Sequence, residues 1–314
     1  MLINLLPDFL AVLDAENPEA AYQRYRDAHR PVIDAYWRNY VLDPEGPHAD
    51  EVVRRTLRAN HDDVRSLAED VDVTRLAEEA IVRADEALQI ERPTDCYLMV
   101  GVGGANAGEL VVGGRGIAFV CLEHFTGRAN PETFGMGLHP DLIALWIGHE
   151  LAHTVRYTSH ASQSDLRRIV SDLGGYYDYW QTGSRVSLRE LLINEGLAVH
   201  ASRSVAPGFD AADYFGYTRR QYHRLRELEA FLRRSVDPEL ELAGLGLRLR
   251  YLSGGMSAAA RLVGGRVIPE RAGYYLGYRM AEALVGSAGL AEALRAPVGD
   301  FQVADDVSRG IQTA

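Results

Sequence analysis

The sequence predicts an α+β protein, mainly helical, with a small β-sheet ahead of a buried central helix and a helical C-terminal lobe. Three observations carry this reading. Apolar residues recur at three and four spacing over most of the chain. A period of two takes over between residues 95 and 124. The stretch from Leu142 to Val155 is apolar nearly all round, the mark of a helix with no solvent face.

In chain order, residues 1–90 read as helical, with Tyr22 to Tyr40 and Glu51 to Leu88 carrying apolar residues at three and four spacing between charges. Their charge runs, Glu69-Asp70 and Glu78-Glu79, read as solvated faces. Cys96 to Val100, Leu110 to Val112 and Ile117 to Leu122 read as strands, with Gly113-Gly114 as a turn. Gly101-Val102-Gly103-Gly104 is another turn, because no helix pattern opens after it and no G-x-G-x-x-G is completed. His139-Pro140-Asp141 looks like a helix start, with Pro in the first turn and Asp at the positive end of the dipole. Ser187 followed by Glu190 predicts a capping box and a helix opening at Ser187. Further helices are expected over Ala211 to Arg234, Gly254 to Val263 and Ala272 to Val285, with a last one near the C-terminus. The expected regions are 1–90, 91–205 and 206–314.

Composition narrows the function. The 314 residues are 47% hydrophobic and 25% charged, enough for a sizeable core without staples. Cys96 and Cys121 lie in strand-like runs and read as small buried hydrophobes, not a disulfide framework. All 33 basic residues are Arg, so Schiff-base, P-loop and Ser-Lys chemistry is absent. A net charge of −11 argues against nucleic acid or an anionic membrane as partner. The N-terminal apolar run lacks a preceding basic residue, and no stretch approaches a bilayer span. A cytoplasmic enzyme is the expectation; oligomeric state is left open.

The chemistry concentrates in His149-Glu150-Leu151-Ala152-His153. Imidazoles four apart on a helix sit one above the other and can share one metal ion. This is the H-E-x-x-H pattern, in which two His bind zinc and the Glu is the general base. A buried helix would carry these polar groups at high cost unless something satisfied them. A catalytic zinc usually has three protein ligands plus water. Continuing the helix as H-E-x-x-H-x-x-G-x-x-H fails, because Arg156 and Ser159 occupy the Gly and His positions and His160 comes one residue late. Glu195 is the better third ligand. It shares a helical stripe with Leu188, Leu191, Leu192, Ala198 and Val199, the one carboxylate on a core-facing side, where a dication would offset its burial.

With these residues, the chain resembles the gluzincin clan of metallopeptidases, in which H-E-x-x-H is completed by a Glu on a later helix. More narrowly, it resembles a little-characterised bacterial family of predicted Zn-dependent proteases. The matching pieces are Gly116-Ile117-Ala118-Phe119-Val120, HELAH at 149–153, Glu195-Gly196-Leu197-Ala198 and Gly273-Tyr274-Tyr275-Leu276-Gly277-Tyr278. They span roughly residues 95–285, in the family's order. The resemblance implies His149, His153 and Glu195 as ligands of one catalytic Zn²⁺, Glu150 as base, and a thermolysin-like zincin core over 91–205 whose cleft the C-terminal lobe completes. It implies a sheet edge that pairs with substrate, expected at Ile117 to Leu122, so Ala118, Phe119 and Val120 are the substrate-binding candidates. It also implies an oxyanion donor from the C-terminal lobe, with Tyr278 first, Tyr274 second and His223 third. One departure is Val199, where many gluzincins carry an Asp that buttresses a ligand His; the sequence does not identify a substitute.

The expected function is zinc-dependent hydrolysis of a peptide or small amide. Two alternatives are a zinc hydrolase of a non-peptide or modified small metabolite, and a non-catalytic zinc-binding protein.

Overall fold

The computed structural model describes residues 1–301. Helices dominate and the sheets are small, so the α+β expectation holds. The chain opens with a short strand, β1 (Leu2–Asn4), then α1 (Leu6–Leu13), α2 (Pro18–Ala28), α3 (Arg30–Tyr36), α4 (Ala49–Arg58), α5 (Asp62–Asp70) and α6 (Val73–Leu88). A π-helical turn, Trp37–Val41, extends α3 and carries Asn39 and Tyr40 inward. β1 pairs in parallel with β2 (Thr94–Met99), so the first residues belong to the sheet and not to the helical region. Three residues are too few to show a period of two.

β3 (Ala107–Val112) and β4 (Arg115–Cys121) form a hairpin through Gly113-Gly114, whose φ values of +59° and +79° suit a two-residue turn of the hairpin type. The sheet order is β1-β2-β4-β3, with β2 and β4 parallel and β3 antiparallel to β4. This overturns the expected edge. β4 is hydrogen-bonded on both sides, and Ala118, Phe119 and Val120 are fully buried, so none can meet a substrate strand. β4 reads as the most apolar strand because it is central and covered on both faces. The edge is β3.

Helix α7 (Leu142–Thr158) crosses behind β4 and β3, and every one of its residues is buried. After α8 (Asp165–Asp172) and α9 (Tyr179–Arg185) comes α10 (Leu188–Val205). The Ser187 hydroxyl accepts from the Glu190 N–H, so the cap forms as expected. The return half of the box does not, because the Glu190 carboxylate turns to Arg156 of α7 at 2.7 Å, both side chains wholly buried.

Beyond α10 the boundaries depart from expectation. Over Ala211 to Arg234, a 3₁₀ turn (Asp213–Phe215) precedes a helix that starts only at Arg219, capped by Thr218, and continues to Val236 as α11. Helix α12 (Leu245–Leu252) has no counterpart in the sequence reading. Gly254 to Val263 is not a helix. It is a looped segment entering a small hairpin, Leu262–Val263 with Arg266–Val267, turned by Gly264-Gly265 at φ +53° and +77°. Successive glycines favour that turn over a helix. α13 (Ala272–Ala288) and α14 (Leu290–Arg295) complete the described chain.

Candidate metal centre

His149 and His153 lie on adjacent turns of α7, and α10 crosses that helix so that Glu195 faces both. Glu195 Oε2 stands 3.3 Å from His149 Nε2 and 3.6 Å from His153 Nε2. Donors about 2 Å from one tetrahedral ion lie about 3.3 Å apart, so these three atoms have the spacing of a shared cation. The two histidines are about 2% exposed at the side chain and Glu195 12%. Burial alone would raise the Glu195 carboxyl, but the charge on His153 and the hydrogen bond with His149 hold it well below the usual carboxylate range. Burial would likewise lower His153; Glu195, with Glu109 and Glu150, instead pulls it up to about 10. The enclosure is short of positive charge, and an N₂O donor set suits Zn²⁺.

Glu150 is buried beside the ligands. Burial first, then the charges of Glu109 and Glu195, push its carboxyl well above the usual range, opposed by His153. Glu109, on β3, is a site residue that the sequence reading missed. Glu109, Glu150 and His153 present ligand atoms within 4.8 Å of one another. The signal in the sequence was a carboxylate directly before the apolar run Leu110-Val111-Val112.

The two histidine rings are held by stacking. Nδ1 of His149 and of His153 has no hydrogen-bond partner among the described residues, and Val199, fully buried, offers none. Tyr274 stacks on His149 (5.8 Å, 16° between planes), and the two imidazoles meet edge to face at 4.9 Å. Tyr157 stacks on His153 (6.0 Å, 18°) and Tyr177 stacks on Tyr157 (5.2 Å, 13°). Tyr157 donates to Glu109 Oε1 at 3.0 Å and accepts from Asn194 Nδ2 at 3.1 Å. This aromatic column packs both imidazoles in place where Val199 offers no carboxylate.

Tyr274 reaches the site because α13 lies against α10 at a glycine crossing. A Cβ on Gly277 would collide with the carbonyl of Leu192, and one on Gly196 would collide with the backbone of Gly277. Tyr278, one turn on, faces away from the cleft. It stacks on His200 at 4.2 Å and meets Phe215 edge-on, so the first-ranked oxyanion donor is a packing residue. The i, i+4 spacing puts both tyrosines on one side of α13, but the crossing leaves only the first over His149. His223 sits in a separate groove with Asp210, Arg219, Tyr222 and Arg226.

A cavity of about 510 Å³ opens on the ligands, walled by the π-turn, the Gly103–Glu109 segment, His124, Phe134, α7, Tyr179, α12 and the 253–274 segment. That size suits a small ligand or a few peptide residues. The outward edge of β3 is largely occupied. The Tyr40 hydroxyl accepts from the Glu109 N–H at 3.2 Å and lies 2.9 Å from the Glu109 carbonyl oxygen, and the Tyr177 N–H donates to Val111 at 3.0 Å. Ala107, at the start of the strand, lines the cavity.

No described helix is long and apolar enough to cross a membrane. No curated protein and no solved structure matches the chain. The family described as "Predicted Zn-dependent protease (DUF2268)" matches residues 176–301. That stretch starts after the HELAH helix and takes in Glu195, the glycine crossing and Tyr274. Over its C-terminal part, then, the chain is similar to a family of zinc-dependent proteases.

Proposed function

We propose that this protein is a gluzincin-type zinc hydrolase that cleaves the amide bonds of short peptides or peptide-like molecules. One observation carries the reading: the histidines of HELAH and the carboxylate of Glu195, forty-two residues beyond the second, converge at 3.3 and 3.6 Å on the floor of a cavity. Zinc held there would polarise a carbonyl and make water a nucleophile near neutral pH. Glu150, adjacent to His149 on the same helix, takes the proton of the attacking water and returns it to the leaving nitrogen. The Tyr274 phenol, parallel to the His149 ring, donates to the carbonyl oxygen as charge builds on it. Tyr157, Tyr177 and Tyr274 keep the imidazole planes fixed. Residues 91–205 with 206–314 act as the two halves of the catalytic unit, joined by a wall from residues 39–41.

A modified small metabolite is the second reading, favoured by the occupied β3 edge, since a long extended polypeptide has only a short stretch to pair with. Digesting a peptide library of graded length tests both. Cleavage confined to peptides of a few residues supports the first reading, and no cleavage at any length favours the second. Glu150→Gln should retain zinc and lose hydrolysis; full activity in that variant would contradict the mechanism.

A further inference from the structure

Three described residues outside Gly have positive φ, and two of them, Phe134 and Arg271, line the cavity. A non-glycine residue at φ +54° costs backbone energy, and such strain gathers where a side chain must be aimed. The Arg271 side chain runs past two glycines: a Cβ on Gly216 would lie 3.3 Å from its Nη1, and one on Gly254 would lie 3.4 Å from its Nε. Those missing side chains leave room for the guanidinium next to Trp146, which in turn packs on His149 at 5.1 Å.

The other cavity arginine, Arg248, is fully engaged. It donates to the Tyr179 carbonyl and the Tyr177 hydroxyl, each at 2.8 Å, and lies over the Tyr179 ring. The Arg271 guanidinium makes no described hydrogen bond or ion pair, only a ring contact with Tyr274 at 5.9 Å. Its neighbour Glu270 is committed to Arg261 and to the Gly255 N–H.

Two neutral donors among the residues lining the same cavity are also unpartnered. His124 is 4% exposed and both of its ring nitrogens lack a hydrogen-bond partner; Glu123 Oε1, at 3.7 Å from Nε2, is out of reach and off the cavity wall. Burial and the charge of Arg271 lower His124 to about 4, so the ring is neutral near pH 7. Asn106, whose carbonyl accepts from Cys121, leaves its Nδ2 without a partner. Buried donors without acceptors are costly, and a ligand that supplies acceptors recovers that cost.

We propose that Arg271, with His124 and Asn106, forms a carboxylate-binding subsite of the cavity, so that the substrate is a short peptide or acylated amino acid with a free carboxylate. This deepens the zinc amide hydrolase reading and rests on it. Guanidinium matches carboxylate geometry in two parallel hydrogen bonds, and its charge offsets the acidic surroundings of the metal site.

The test uses zinc-loaded Glu150→Gln protein, full length, titrated calorimetrically with three N-acetylated dipeptides. One ends in a free acid, one is its amide, and one is an amide bearing a terminal Glu. Binding of a carboxylate peptide should be at least about tenfold tighter than that of the plain amide, the value of one charge-assisted contact. The ratio should fall to near one when Arg271→Gln is added. The free-acid and Glu arms tell whether the carboxylate is terminal or on a side chain. Arg271→Gly also relieves the left-handed backbone, so it should keep the melting temperature while losing the preference, which a merely structural arginine would not do. Equal binding of acid and amide, or a preference that survives in the Arg271 variants, overturns the subsite. Peptide turnover by the wild type would then leave the hydrolase reading standing. Absence of both binding and turnover overturns the hydrolase reading and the subsite with it.

Discussion

Gly196 of α10 and Gly277 of α13 meet backbone to backbone, and that contact sets the distance between Glu195 and Tyr274. Replacing either with Ala puts a methyl group into a main-chain group that cannot yield. Gly277→Ala should lower stability by about 2 kcal/mol or more, as overpacking does. It should also weaken zinc retention, because α10 carries Glu195, the proposed third ligand. Chemical denaturation and metal analysis of the purified variant check both effects; unchanged stability would contradict the crossing.

Tyr274 and Tyr278 should separate cleanly. Tyr274→Phe keeps the stack on His149 and removes the hydroxyl, so kcat should fall about 10²-fold or more with zinc content unchanged. Tyr278→Phe, whose ring packs on His200, should leave kcat within about twofold of wild type. Steady-state kinetics on one peptide substrate decides it, and the reverse order would restore Tyr278 as donor.

Tyr157 links His153 to Glu109. Tyr157→Phe retains the stack, removes the hydrogen bond at Glu109 Oε1 and leaves Asn194 Nδ2 without its acceptor. Zinc affinity should drop about tenfold or more, the usual effect of losing a supporting interaction behind a ligand. Competition with a chromophoric chelator measures this, and an unchanged affinity would remove Glu109 and Tyr157 from the metal's support.

Arg156 and Glu190 form a wholly buried pair between α7 and α10, and Arg156 also donates to the carbonyls of Leu294 and Ala296. Arg156→Leu leaves Glu190 buried without its cation and should cost about 3–5 kcal/mol. Arg156→Leu combined with Glu190→Leu should recover part of that loss in urea titrations. Equal losses in the single and double variants would show that the carbonyl contacts, not the ion pair, matter.

The features legible in the sequence were those set by local periodicity. A buried α7, the strand pattern before it, the Gly113-Gly114 turn, the Ser187 cap and the pairing of His149 with His153 all follow from residues within a few positions of each other. Glu195 was legible as a lone carboxylate on an apolar stripe. What failed depended on long-range placement. Sheet order made β4 central although its sequence suits either position, and β1 is too short to carry a pattern. Tyr278 lost to Tyr274 through a helix crossing, and Glu109, Tyr40 and His124 reach the cavity from elements whose proximity no spacing announces. The helix expected over Gly254 to Val263 gave way to glycine-driven turns.

The central claim is one cation held by His149, His153 and Glu195, and anomalous diffraction at the zinc edge from crystals of the full chain tests it most directly. The account predicts a single peak about 2.0–2.2 Å from His149 Nε2, His153 Nε2 and a Glu195 carboxylate oxygen, with a fourth position open to the cavity. A peak coordinated instead by Glu109 and Glu150, or one closed off by a fourth protein ligand, would contradict it.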